Sequence, residues 1–129
     1  MLLDLQNLFS DNQELRKASE ISDNTVKFSK GEITYLPFIA QITETFDNLT
    51  SLKLEIETSD SEDFSSSNVL VSSTLVLAEL KEGAKFPISY FPKGNKGYMR
   101  LKYTIEGTLP TKGKITAGAV MNNDISNYE

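Results

Sequence analysis

The chain has 129 residues and a formal net charge of −5, from 13 Lys and Arg against 18 Asp and Glu, and it contains no Cys, His or Trp. A chain of this length predicts a single compact body, about 14 Å in radius of gyration, that buries roughly two-thirds of its unfolded surface. Without Cys and His, thiolate nucleophiles, disulfides, iron–sulfur clusters, His-based triads and ordinary zinc or copper sites are excluded, and most enzyme classes go with them, which points to a binder and not an enzyme.

At the N-terminus, MLLDLQNLF places six apolar side chains in nine residues. Asp4 interrupts the run and no basic segment or small-residue cleavage site follows, so it does not read as a signal peptide. No apolar stretch approaches the roughly 20 residues that cross a bilayer. Such a segment either tucks into the domain's own core or covers something else. It is read as an N-terminal arm over residues 1–16, presenting Leu2, Leu3, Leu5, Leu8 and Phe9, ahead of one domain over 17–129. Residues 11–18 offer a short helix, the first of two helical possibilities.

Beyond the arm the signal is alternation. A short strand is expected at 25–29, followed by LPFIAQITETF, with Leu36, Phe38, Ala40, Ile42 and Phe46 on one side. In SLKLEIET, Leu52, Leu54 and Ile56 oppose Lys53, Glu55 and Glu57, the period of a strand with one buried and one wet face. A strand at 69–77 leads to a single helical turn around residues 78–81, where Gly83 suits a left-handed cap. Further strands follow at 85–91, at YMRLKYTIEG (98–107) and at 114–121, with GNKG at 94–97 supplying the positive-φ positions of a tight hairpin. Pro37, Pro87 and Pro92 cannot donate to a ladder, so their segments belong at sheet edges or bends. Seven or eight short strands with no helix long enough for a crossover predict an all-β chain, an antiparallel β-sandwich or jelly roll.

Two charge patterns bear on function. SDSEDFSSSN gathers Asp60, Glu62 and Asp63, but lacks the D-x-D-x-D-G run and twelfth-position Glu of a calcium loop, so an exposed solubilising loop is expected there. Residues 81–114 carry 8 basic and 2 acidic side chains, whereas residues 1–80 carry 5 basic and 14 acidic. The cations Lys85, Lys93, Lys96, Arg100 and Lys102 interleave with Tyr90, Phe91 and Tyr98. Solvated strand faces and an acidic protein partner both fit this run; nucleic acid fits poorly, because the whole chain is acidic and only one of the stretch's cations is Arg.

Taken together, MLLDLQNLFSDNQ, PFIAQITETF, TSLKLEIETSDSEDFSSS, KFPISYFPKG, YMRLKYTIEG and TKGKITAG resemble the small jelly-roll capsid cement (head decoration) proteins of tailed bacteriophages, a family first known from a Bordetella phage. The resemblance runs nearly end to end and carries no catalytic signature. It implies a structural virion protein on the outer surface of the capsid, made in the host cytoplasm, that binds the assembled major capsid protein lattice and bridges neighbouring capsomers. It also implies a homo-oligomer, a dimer more than a trimer, with no cofactor, nucleic acid or membrane. On that reading the apolar arm crosses to a neighbouring chain, the cations of 85–102 meet an acidic capsid surface, and Tyr90, Phe91 and Tyr98 supply an aromatic anchor. A carbohydrate-binding or receptor-binding β-sandwich domain is the alternative; the missing Trp weighs against a sugar platform.

Overall fold

The computed structural model describes residues 3–28 and 36–120, with side chains from residue 8 onward. They form eight strands, β1 (Leu3–Glu14), β2 (Ser19–Ile21), β3 (Val26–Lys27), β4 (Phe38–Glu44), β5 (Leu49–Ser59), β6 (Ser67–Val76), β7 (Tyr98–Gly107) and β8 (Lys114–Val120), and one 3₁₀ turn at Leu77–Glu79. One antiparallel sheet has the order β1-β8-β4; the other has β2-β7-β5-β6, with β3 also on β7. The fold is an all-β antiparallel sandwich. Among the described residues no helix is long and apolar enough to cross a membrane.

The segment expected as a strand at 85–91 is instead an irregular run alongside β4. The amide of Ile42 donates to Ala84 O, Phe86 to Ala40 O and Phe38 to Ser89 O, with Gln41–Lys85 and Pro37–Tyr90 as isolated bridges. Pro87 lies in the middle of this run and cannot donate, which explains why the ladder does not become continuous. If this run is counted as a strand, and β2–β3 as one interrupted strand, the sheets read first-eighth-third-sixth and second-seventh-fourth-fifth. Apart from the fourth and fifth, which pair with each other, successive strands then exchange sheets in the manner of a jelly roll.

The alternating segments bury the faces the sequence assigns to them. Leu52, Leu54 and Ile56 of β5 and Met99, Leu101, Tyr103 and Ile105 of β7 are buried, packed across the sandwich against Phe38, Ala40 and Ile42 of β4 and Ile115 and Ala117 of β8. One end of the core is aromatic. The Phe91 ring centroid lies 5.2 Å from Phe38, 5.3 Å from Phe28 and 5.9 Å from Phe9, in edge-on or tilted arrangements.

Three further expectations are corrected. Residues 3–14 are not an extended arm: β1 pairs with β8 of the same chain, and Phe9 is fully buried. Residues 11–18 are not helical; β1 runs to Glu14, and the following turn is held by Glu20 Oε1, which accepts the amides of Arg16 (2.7 Å) and Lys17 (2.9 Å). GNKG does have positive φ at Gly94 (+109°) and Gly97 (+124°), yet it is no hairpin, because the run before it is not a strand of the β7 sheet.

Candidate binding surface

The sequence candidates separate into two groups, those consumed by the fold and those left on the surface. Leu2 lies outside the described residues, as do the side chains of Leu3 and Leu5. Leu8 is half-buried opposite Gly118, and Phe9 is core. The N-terminal strand is also tied down by a buried polar network. Ser10 Oγ donates to Gln13 Oε1 at 2.6 Å and lies 2.7 Å from Tyr103 Oη; with the serine hydrogen committed to Gln13, the tyrosine hydroxyl donates to Ser10. Gln13 Nε2 donates to Ile21 O (3.0 Å), and Gln13 Oε1 accepts from the amide of Asp23. Burial pushes the Tyr103 hydroxyl well above the ordinary tyrosine range, so it stays a neutral donor. This network links β1 to β2 and β7 across the two sheets, so Phe9 is unavailable to a neighbouring chain.

The basic stretch of the sequence does not form a basic face in space. β7 pairs with β5, setting Lys102 opposite Glu55 and Arg100 opposite Glu57 on the outer side of the five-stranded sheet. Arg100 Nε donates to Glu57 Oε1 at 2.9 Å, and the guanidinium carbon sits 4.3 Å from the centroid of the Phe64 ring, so both its charge and its flat face are engaged. Lys53 Nζ lies 3.8 Å from Glu55 on the same face. Cross-strand acids from β5 therefore balance the cations of β7.

The aromatic candidates also part company. Phe91 is in the core, Tyr98 is half-buried with Lys27 Nζ 5.8 Å from its ring centroid, and only Tyr90 stands out, at 54% exposure. Exposed candidates remain at Lys85, Tyr90, Lys93 and Lys96, all on the run from 85 to 96. Lys85 borders a shallow apolar groove of about 240 Å³ lined also by Pro37, Phe38, Ile88 and Val120. The 93–96 loop reaches β6: a Cβ at Gly94 would sit 3.0 Å from Leu70 Cδ2, and Lys96 Nζ donates to the Asn68 amide oxygen at 2.9 Å once that amide is oriented to its neighbours.

The acidic loop between β5 and β6 is organised by its own serines. Asp63 Oδ1 accepts from Ser61 Oγ (2.7 Å) and from the amide of Ser65 (3.0 Å), and these bonds, the Ser61 hydroxyl first, hold its carboxyl below the usual range. Among the described residues no group of three or more acids could hold a metal ion. Sequence reasoning passed over the exposed valines of β6, Val69 at 50% and Val76 at 48%. The signal available for them was the run VLVSSTLV, eight residues without a charge.

A search of curated proteins finds no match. The Bbp16 family model matches residues 9–121, from Phe9 in β1 to just beyond the end of β8. That span takes in seven of the eight strands whole and the second half of the first, so the chain belongs to the Bbp16 family, whose name points to a Bordetella phage protein.

Proposed function

We propose that this protein is a capsid cement protein, a structural component of a phage virion that binds the outer surface of the assembled major capsid protein lattice and bridges neighbouring capsomers. The observation that carries the reading is the family match over residues 9–121. The architecture supports it: a sandwich in which Arg100 and Phe91 serve internal contacts has the rigidity such a role needs and no evident demand for a reactive side chain. Lys85, Lys93 and Tyr90 lie along one exposed run on a molecule whose net charge is −5, a local contrast suited to an acidic shell surface. A molecule that spans two capsomers is released only when both contacts open, so two modest interfaces hold as one strong one. Of the three aromatic candidates for a sugar platform Tyr90 alone is free, which leaves the carbohydrate-binding alternative with little to work on.

The test is reconstitution. Purified protein is added to shells assembled without it, bound protein is measured by co-sedimentation, and the decorated particle is reconstructed. Density on the outer surface, with raised resistance to heat and osmotic shock, is expected. Binding should weaken with rising salt, and the Lys85→Glu/Lys93→Glu variant should lower occupancy at low salt. Shells that gain neither density nor resistance would end the proposal.

A further inference from the structure

The groove beside Lys85 is opened by the turn at Pro87. The amide of Phe86 donates to Ala40 O (2.9 Å) and the amide of Phe38 to Ser89 O (2.8 Å), so two steps along β4 are matched by three along the irregular run. The surplus is taken up locally. The amide of Ile88 donates back to Phe86 O at 2.8 Å, a three-residue turn centred on Pro87, whose ring fixes φ near the value such a turn requires. An extra residue of this kind bends the chain, and the groove of about 240 Å³ lies beside it, lined by Ile88 and Ser89 of the turn itself.

The lining divides by exposure and by charge. Ile39, Ile88 and Val120 are buried, while Lys85 and Ser89 are exposed. Ile39 and Val120 stand outside the main core cluster, so the apolar surface they offer belongs to the groove and not to the sandwich interior. Lys85 is the one ionisable residue in the described lining, and among the described residues it has no ion-pair partner. The volume falls below the roughly 300–1,000 Å³ of sites for drug-sized ligands and suits a single anchoring side chain. Apolar walls with one unpaired cation beside them complement an apolar side chain that has a carboxylate next to it.

We propose that this groove seats one large apolar side chain of the shell protein, carried on a segment whose neighbouring Asp or Glu pairs with Lys85. The inference rests on the cement reading and names what the shell must offer it. Tyr90 and Lys93 continue the same exposed run, so the anchor is continuous with the surface already assigned to the shell. The division of labour is physical. Lys85 gives a chain of net charge −5 a local attraction for an acidic segment, and that attraction is screened by salt. The contact with Ile39, Ile88 and Val120 excludes water and is little affected by salt.

The test uses the whole chain and shells assembled without it. Ser89→Trp, at an exposed position of the lining, fills the groove and should raise the dissociation constant for shells more than tenfold at low and high salt alike, with an unchanged circular dichroism spectrum. If that variant does not fold, Ser89→Glu, which offers Lys85 a carboxylate of its own, reports the same loss. Lys85→Met should weaken binding at low salt and flatten its salt dependence, whereas Lys17→Met, outside the groove, should change neither. The chain has no cysteine, so a maleimide-linked benzophenone on Ser89→Cys marks one place. Illumination of decorated shells should attach it to a segment of the major capsid protein with an apolar residue next to an Asp or Glu, identified by mass spectrometry. Attachment to a segment without that pair, to residues 121–129 of the same chain or to a second copy would overturn the proposal. So would undiminished binding of the folded Ser89 variants. Each of these results leaves the cement reading standing, whereas a native chain that leaves shells undecorated ends that reading and this inference together.

Discussion

In the five-stranded sheet Leu52, Leu54 and Ile56 are buried while Lys53, Glu55 and Glu57 occupy the other face; in the three-stranded sheet the outer face of β4 and β8 is mixed, with Ile39, Gly118 and Val120 buried beside half-buried Gln41, Thr43 and Thr116. Ile39 and Val120 are buried although they stand outside the main core cluster, and Gly118 separates Ala117 from Ala119. The first sheet therefore writes its orientation into the sequence through contrast between faces. The second writes much less, and is held by aromatic packing, close approaches and polar ties that bring together residues far apart in sequence.

The sharpest way to break this contrast is at Phe9. If β1 is an integral strand, Phe9→Ala leaves a cavity beside Phe38 and Phe91 and should cost about 4 kcal/mol by denaturant titration, the scale of a fully buried aromatic truncation. A dispensable arm would give a change near zero. Gly113 comes next, at the entry to β8. Its φ is +131° and a Cβ there would run into the Phe46 ring, so Gly113→Ala should cost about 3 kcal/mol, read as a lowered melting temperature. The five-stranded sheet should respond less steeply. Arg100→Ala leaves Glu57 without its ion pair and uncovers Phe64, for an expected loss of about 2 kcal/mol, and the effect should shrink when Glu57→Gln is added in a double-mutant cycle.

The smallest effect is a pH dependence in the loops. Asp47 accepts from the Thr111 hydroxyl and from the amides of Thr111 and Lys112, and these bonds, the hydroxyl first, lower its carboxyl below 3.8. A carboxyl depressed in the folded state stabilises fully above its unfolded value and loses that contribution as pH falls through the folded one. Stability of the native chain should thus decline below about pH 3.8, and Asp47→Asn should flatten that part of the profile while lowering the plateau. Superimposable profiles would remove the contact from the account.

The same contrast sets what could be read in advance. SLKLEIET and YMRLKYTIEG alternate because one face is wet, and both are strands almost to the residue. β1 was opaque because its pairing slips between Leu3 and Leu8, between Leu8 and Ser10, and again before Gln13, and each slip breaks the period of two. KFPISYF alternates as a strand should, and Pro87 then interrupts the ladder. The candidate surface was half legible for a related reason. Composition along the chain showed cations at Arg100 and Lys102, but the glutamate that bonds Arg100 comes from 43 residues upstream, and only strand pairing brings it there. Exposure of Lys85, Tyr90 and Lys93 follows from their place on an irregular rim, which the prolines did announce.

Those prolines have a further consequence for the rim they occupy. Pro87 has no amide hydrogen to offer, and the run around it meets β4 only at isolated bridges, so this side of the three-stranded sheet lacks the unbroken row of N–H and C=O groups on which a foreign strand could be templated. An irregular rim of this kind guards the sandwich against uncontrolled sheet growth.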